Sequence, residues 1–146
     1  RVNDMNVKTF SKALTGIAVG CSISLFSLDA IVVVVHPSNN AELDIKSVQR
    51  IFLGKEKKFS NGKEVLPVNQ VPSSAARSTF DTDTLGRSST QIAAYWSKLV
   101  FTGKGIPPKE LDNNEAVLAI VADNPNAIGY LDSASVSGAV KVISLN

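Results

Sequence analysis

The chain predicts an α/β protein, a layered sheet with helices on its faces, and three observations carry that prediction. Ile31–His36 is an unbroken β-branched run stopped by Pro37, which reads as a strand buried on both faces. Ser88 with Gln91 three residues later forms a capping box ahead of the apolar positions Ile92, Trp96, Leu99 and Val100, which predicts an amphipathic helix. Strand-like and helix-like segments alternate along the rest of the chain, which favours a layered sheet over a bundle or a sandwich.

The elements follow in order. After the first strand, Ser38–Glu42 is a polar turn. Asp44 then caps a helix whose apolar positions Val48, Ile51 and Phe52 keep the three-to-four spacing and which Gly54 ends. Lys55–Lys63 is a charged loop closing in the turn pair Asn61-Gly62. Val65–Asn69 is a second strand, and the helix after Pro72 places Ala76 and Phe80 on one face. Thr102–Pro108 is a Gly/Pro loop behind the capping-box helix, and Asn113 or Asn114 caps a further helix carrying Val117, Leu118 and Val121. Ala127–Leu131 and Val140–Leu145 are the last strands, separated by small residues that include Gly138.

Residues 1–30 and 31–146 read as two different things. Met5 opens a segment with Lys8 and Lys12, an apolar run over residues 13–28, and the small residue Ala30, the layout of a secretory signal peptide cleaved after Ala30; Arg1–Asp4 form an upstream extension. The apolar run is shorter than the roughly 20 residues a spanning helix needs. The alternative is a lipoprotein signal ending at Cys21, although the residues after Cys21 stay apolar instead of forming a polar tether. Cys21 is the single cysteine, so cleavage after Ala30 leaves a domain without disulfides. With 15 basic and 13 acidic residues and a net charge of +2, the chain has no electrostatic footprint for nucleic acid. The expected compartment is the periplasm.

The stretch Val65–Phe80 carries the chemistry. An apolar strand runs through a polar turn into a helix that opens with Ser73 and Ser74. The first free N–H groups of a helix, the positive end of its dipole and these hydroxyls converge on one point, with Arg77 a turn later, a natural place for a small oxyanion. The simpler alternative is that Ser73 only caps its own helix.

Four strings together resemble one family: VQRIFLGK at Val48–Lys55, LPV at Leu66–Val68, YWSKLVFTGKG at Tyr95–Gly105 and AIGYLD at Ala127–Asp132. They are similar to the periplasmic phosphate-binding proteins of ABC importers, in particular short single-lobe relatives, over nearly all of Ile31–Leu145. The resemblance implies one three-layer lobe of the type II periplasmic-binding-protein fold, a mixed central sheet flanked by helices. Full-length members close two such lobes around phosphate, so the second half of a cleft here is either absent or supplied by another chain. The family's phosphate loop falls on Ser73, Ser74, Arg77 and Gln70. Where full-length members carry an arginine ahead of a Gly-Ser-Gly-Thr run, this chain has Gln70 and then Val71-Pro72-Ser73-Ser74-Ala75, without the glycines that let backbone N–H groups close on phosphate.

Other candidates are weaker. His36 is the only histidine, and no second histidine accompanies it to hold a metal or orient a general base. Asp81 and Asp83 sit where carboxylates at a helix end are usually solvated. Lys55, Lys57 and Lys58 read as a wet surface, and Gly103-Lys104-Gly105 lacks the ending and following helix of a phosphate loop. Tyr95 and Trp96 divide between rim and core. No catalytic residue, metal or cofactor is expected. Two readings remain: a binding module for a small oxyanion, phosphate first, with an envelope or ABC-importer protein or a second copy of the chain as partner; and a non-transport structural or adaptor protein of the cell envelope that reuses the lobe as a scaffold.

Overall fold

The computed structural model describes residues 30–145. The proposed signal segment, its cleavage after Ala30 and the alternative lipidation at Cys21 concern residues outside or at the edge of that range. Five strands, β1 (Ile31–Val35), β2 (Leu66–Gln70), β3 (Lys109–Leu111), β4 (Ala127–Asp132) and β5 (Lys141–Ile143), form one sheet in the order β3-β2-β4-β1-β5. Strand β2 runs parallel to β3 and β4, whereas β1 is antiparallel to β4 and β5. The sheet is therefore mixed.

Side-chain alternation on the two central strands builds two cores. Val33, Val35, Ile128 and Tyr130 face helix α1 (Ile45–Phe52), helix α2 (Ala75–Thr79) and helix α3 (Ser89–Phe101). Val34, Ala127 and Leu131 face helix α4 (Asn114–Asp123) through Val117 and Val121. A strand with helices on both sides needs apolar residues at every position, which is why β1 reads as a continuous run and not an alternating one. The three-layer lobe expected above is the architecture observed.

The helix starts follow local chemistry. Ser47 N–H donates to Asp44 Oδ1 at 2.7 Å, and that bond, aided by the Ser47 hydroxyl, holds the Asp44 carboxyl below the usual carboxylate range. The Ser88–Gln91 capping box forms in full, and Asn113, not Asn114, caps α4 by accepting from Ala116 N–H at 2.8 Å. Three expectations are corrected. Strand β3 emerges directly after Pro108, where no apolar run announced it, because its three residues pair at an edge and are largely exposed. The Val140–Leu145 strand shrinks to Lys141–Ile143. Val100, expected on the buried stripe of α3, is 52% exposed.

Two glycines are required by geometry. Gly54 ends α1 at φ +71°, and an added Cβ would come within 2.7 Å of Trp96 Cη2. Gly129 sits in the middle of β4, where an added Cβ would come within 2.7 Å of Val117 Cγ1 and 2.9 Å of Val68 Cγ2. Helix α4 can close on the sheet only because no side chain stands there. Gly129→Ala should therefore force α4 outward and destabilise the domain by about 1–3 kcal/mol, read as a lower denaturant midpoint; an unchanged midpoint would contradict this packing.

Candidate functional site

Strands β2, β3 and β4 are parallel, so their carboxyl ends lie at one edge of the sheet, with α2 and α4 starting from that edge. Ligands of open α/β sheets bind outside the carboxyl ends of such strands. The candidate residues Gln70, Ser73, Ser74 and Arg77 all fall here. Val71 N–H donates to Leu111 O at 3.0 Å, extending the β2–β3 pairing, and Ser74 N–H turns back to Val71 O at 2.9 Å. The tight turn delivers the chain into α2.

The four residues divide into two at the mouth and two behind it. Ser73 is exposed, and its hydroxyl has no partner among the described residues. Ser74, not Ser73, is the cap of α2; its Oγ accepts from Arg77 N–H at 3.4 Å and donates to Gln70 Oε1 at 2.6 Å. Gln70 is 1% exposed. Its Nε2 donates to Asn114 Oδ1 at 3.0 Å and to the Tyr130 carbonyl at 3.1 Å, so the carboxamide is fully engaged inside the protein. In the first turn of α2 the N–H groups of Ala75 and Ala76 have no partner among the described residues.

Arg77 turns inward. Only 5% exposed, it places Nε 2.9 Å from Asp81 Oδ2 and Nη1 2.8 Å from the Gln70 carbonyl, with Glu110 Oε1 at 3.4 Å from the same nitrogen. Asp81 is fully buried, contrary to the solvated role expected of it, because it sits one helical turn after Arg77 and also accepts from Ser89 Oγ at 2.8 Å. Its Oδ1 has no partner among the described residues. Arg77 thus ties the end of β2 to β3, and Asp81 carries the tie to the first residue of α3. Its charge is balanced before it can reach the mouth.

Sequence reasoning missed the support of this corner. Tyr130 OH donates to Asn69 Oδ1 and accepts from Gln70 N–H at 3.1 Å. Its ring stacks on Phe80 at 3.8 Å between centroids and 5° between planes, and Phe52 meets Phe80 edge-on at 4.8 Å. Burial pushes the Tyr130 phenol well above its ordinary pKa, against the partly opposing bond from Gln70 N–H. Asn114 completes the rim by donating to Asp132 Oδ2 at 3.1 Å. Only the Arg77–Asp81 spacing of four was visible beforehand as a helical ion-pair pattern; the other partners come from strands and helices distant in sequence. His36, at the other edge of the sheet, pairs through Nδ1 with Ser38 Oγ at 2.7 Å on the surface.

No protein-family model matches the chain. Solved structures do. An ABC-type phosphate transport receptor from Vibrio cholerae aligns over 80% of this chain and 46% of its own length, with a TM-score of 0.63 at 20% identity. A phosphate ABC transporter substrate-binding protein from Clostridium perfringens with bound phosphate gives 80%, 45%, 0.64 and 20%. PstS from Borrelia burgdorferi gives 81%, 47%, 0.58 and 14%. This chain shares its fold with part of each of these three proteins, and it spans less than half the length of those neighbours.

Two outcomes are expected at this corner. Arg77→Met leaves the Asp81 carboxylate buried and unpaired, which should cost about 3–5 kcal/mol; chemical denaturation measures it, and a loss below about 1 kcal/mol would show the ion pair to be dispensable. Tyr130 binds its proton more tightly folded than unfolded, so its contribution to stability is complete below the unfolded tyrosine pKa of about 10 and shrinks as pH rises above it. Wild-type stability should therefore fall above about pH 10 more steeply than that of Tyr130→Phe.

Proposed function

We propose that this chain is a periplasmic solute-binding lobe that holds a small oxyanion, phosphate first, at the mouth between β2 and α2. The observation that carries the reading is the position of Ser73, Ser74 and the unpartnered N–H groups of Ala75 and Ala76 at the carboxyl edge of the parallel strands. In this reading Ser73 and the two amides contact the anion. Gln70 orients Ser74, and Arg77 holds the end of β2 behind the turn. The neighbours of like fold are phosphate transport proteins, one of them with phosphate bound, which supports the choice of anion.

The site is half a cleft. Hydrogen bonds to a charged group contribute about 1.5–3 kcal/mol each, and three or four of them are offset by an estimated 4–15 kcal/mol for immobilising the ligand. Affinity for the lobe alone is therefore on the order of millimolar, and tight binding needs a second wall from a partner protein or a second copy of the chain. Signal-directed export with removal of residues 1–30 belongs to the same proposal.

A specific observation favours the second reading, a scaffold or adaptor of the envelope without transport. Arg77, behind the mouth, is neutralised by Asp81, and the carboxylates of Glu110 and Asp132 stand nearby, an electrostatic setting that opposes an anion. Titration separates the two. Phosphate, sulfate and arsenate are added to the folded protein while heat and melting temperature are recorded. Saturable heat with phosphate at millimolar concentration, lost in Ser73→Ala without change in stability, supports the binding lobe. Ser74→Ala should lose both the response and about 1 kcal/mol of stability, since it removes a cap. No response at tens of millimolar, set here by the estimated half-site affinity, leaves the scaffold.

A further inference from the structure

The end of the lobe opposite the mouth carries a feature that the anion reading does not use. Helix α3 starts beside Asp81 and runs for 13 residues, about 20 Å, to the other edge of the sheet. There Phe101 is 93% exposed and Ile106 91%, with Val100, just before Phe101 at the end of α3, half exposed. Isolated exposed apolar residues are ordinary, but these three belong to one short segment, and two of them border one hollow. Val100, Ile106, Gly103, Gly105, Lys57 and Lys104 line that open hollow of about 630 Å³.

The segment is held firmly. Thr102 Oγ1 donates to Lys98 O at 2.8 Å, Gly103 N–H to Val100 O at 3.1 Å, and Lys104 N–H to Leu99 O at 2.8 Å, while Gly105 packs on the Trp96 ring. Ile106 and Phe101 are thus presented on a braced turn and not on a frayed end. The charged side chains that line the hollow have one sign. Lys57 and Lys104 border the hollow, Lys98 stands on the last turn of α3, and no acidic side chain lines the hollow; the nearby Glu56 is paired to Arg50 at 2.8 Å.

We propose that this end of the lobe docks on an anionic lipid surface, with Phe101 and Ile106 entering the headgroup boundary and Lys57, Lys98 and Lys104 facing the lipid phosphates. The charge is complementary to anionic headgroups, and apolar tips flanked by lysines are what an interfacial contact requires. A protein partner of standard size needs a surface of some 800 Å² with a packed rim, whereas here two apolar tips stand clear of a Gly-Lys-Gly turn. A second copy would set lysines against lysines. No helix among the described residues is long and apolar enough to cross a membrane, so the contact is a docking, not an insertion of a span.

The test is flotation of the full chain with phosphatidylcholine vesicles, with and without phosphatidylglycerol. Wild type and variants share residues 1–30, so any contribution of that apolar segment is equal in both. Binding should require phosphatidylglycerol and weaken with salt. Phe101→Ser and Ile106→Ser should each reduce partitioning on the order of tenfold, and Lys57→Gln and Lys104→Gln roughly fivefold each. These side chains are exposed, so melting temperatures should not move, and Ser73→Ala should bind vesicles like wild type. Partitioning that is absent, or equal in wild type and all four variants, overturns the proposal. So does a concentration-dependent dimer that is lost in Phe101→Ser, which would make a second copy the occupant.

Discussion

The corner where β2 ends depends on one buried ion pair. Arg77 has almost no access to water, and a guanidinium can remain charged there only because Asp81, the Gln70 carbonyl and Glu110 surround it. Those partners come from β2, from β3 and from the helical turn that follows α2, and Asp81 passes the restraint on to Ser89 at the head of α3. The pair therefore holds together the strand, the turn and two helices whose meeting point is the mouth. Its desolvation is costly, so the geometry that satisfies it is narrowly defined, and Ser73 and Ser74 inherit their placement from it.

A second consequence concerns charge. An arginine one turn into a helix is a natural anion contact in sequence, yet here its positive charge is directed behind the turn. What remains free at the mouth carries no positive charge: the Ser73 hydroxyl and two amides, with the carboxylates of Glu110 and Asp132 nearby. Gln70 reinforces this, since its carboxamide links Ser74 to Asn114 and to β4 and leaves no group over for a ligand. The corner is a tightly bonded cradle without free positive charge, and under the proposed reading a second surface has to supply the charge that strong capture needs.

The two ends of the lobe differ in kind. At the mouth, polar side chains are buried and mutually bonded; at the far end, apolar side chains are exposed, two of them beside a hollow that Lys57 and Lys104 line. Helix α3 spans both, capped by Ser88 at one and closed by the Thr102–Lys104 turn at the other. The polarity of the domain follows from the parallel arrangement of β2, β3 and β4, which gathers all the helix starts of that half at one edge.

Much of the architecture was legible in the residues. The β-branched run of β1, the cap at Asp44, the capping box at Ser88 and the spacing of Val48, Ile51 and Phe52 are local signals, and local hydrogen bonding and burial on fixed periods decide them. The resemblance of four short strings was enough to anticipate a single three-layer lobe. Strand β3 was not legible, because an edge strand of three residues needs no apolar pattern. Nor was the inward turn of Arg77, the burial of Asp81, the engagement of Gln70 or the exposure of Val100. These depend on which strands lie side by side: Tyr130, Asn114 and Glu110 reach Gln70 and Arg77 across 33 to 60 positions of sequence. The chain by itself determined where most of its helices begin and which residues could carry an anion; only tertiary structure decided which of them face the solvent, because the desolvation of a buried charge is settled by neighbours that sequence spacing does not reveal.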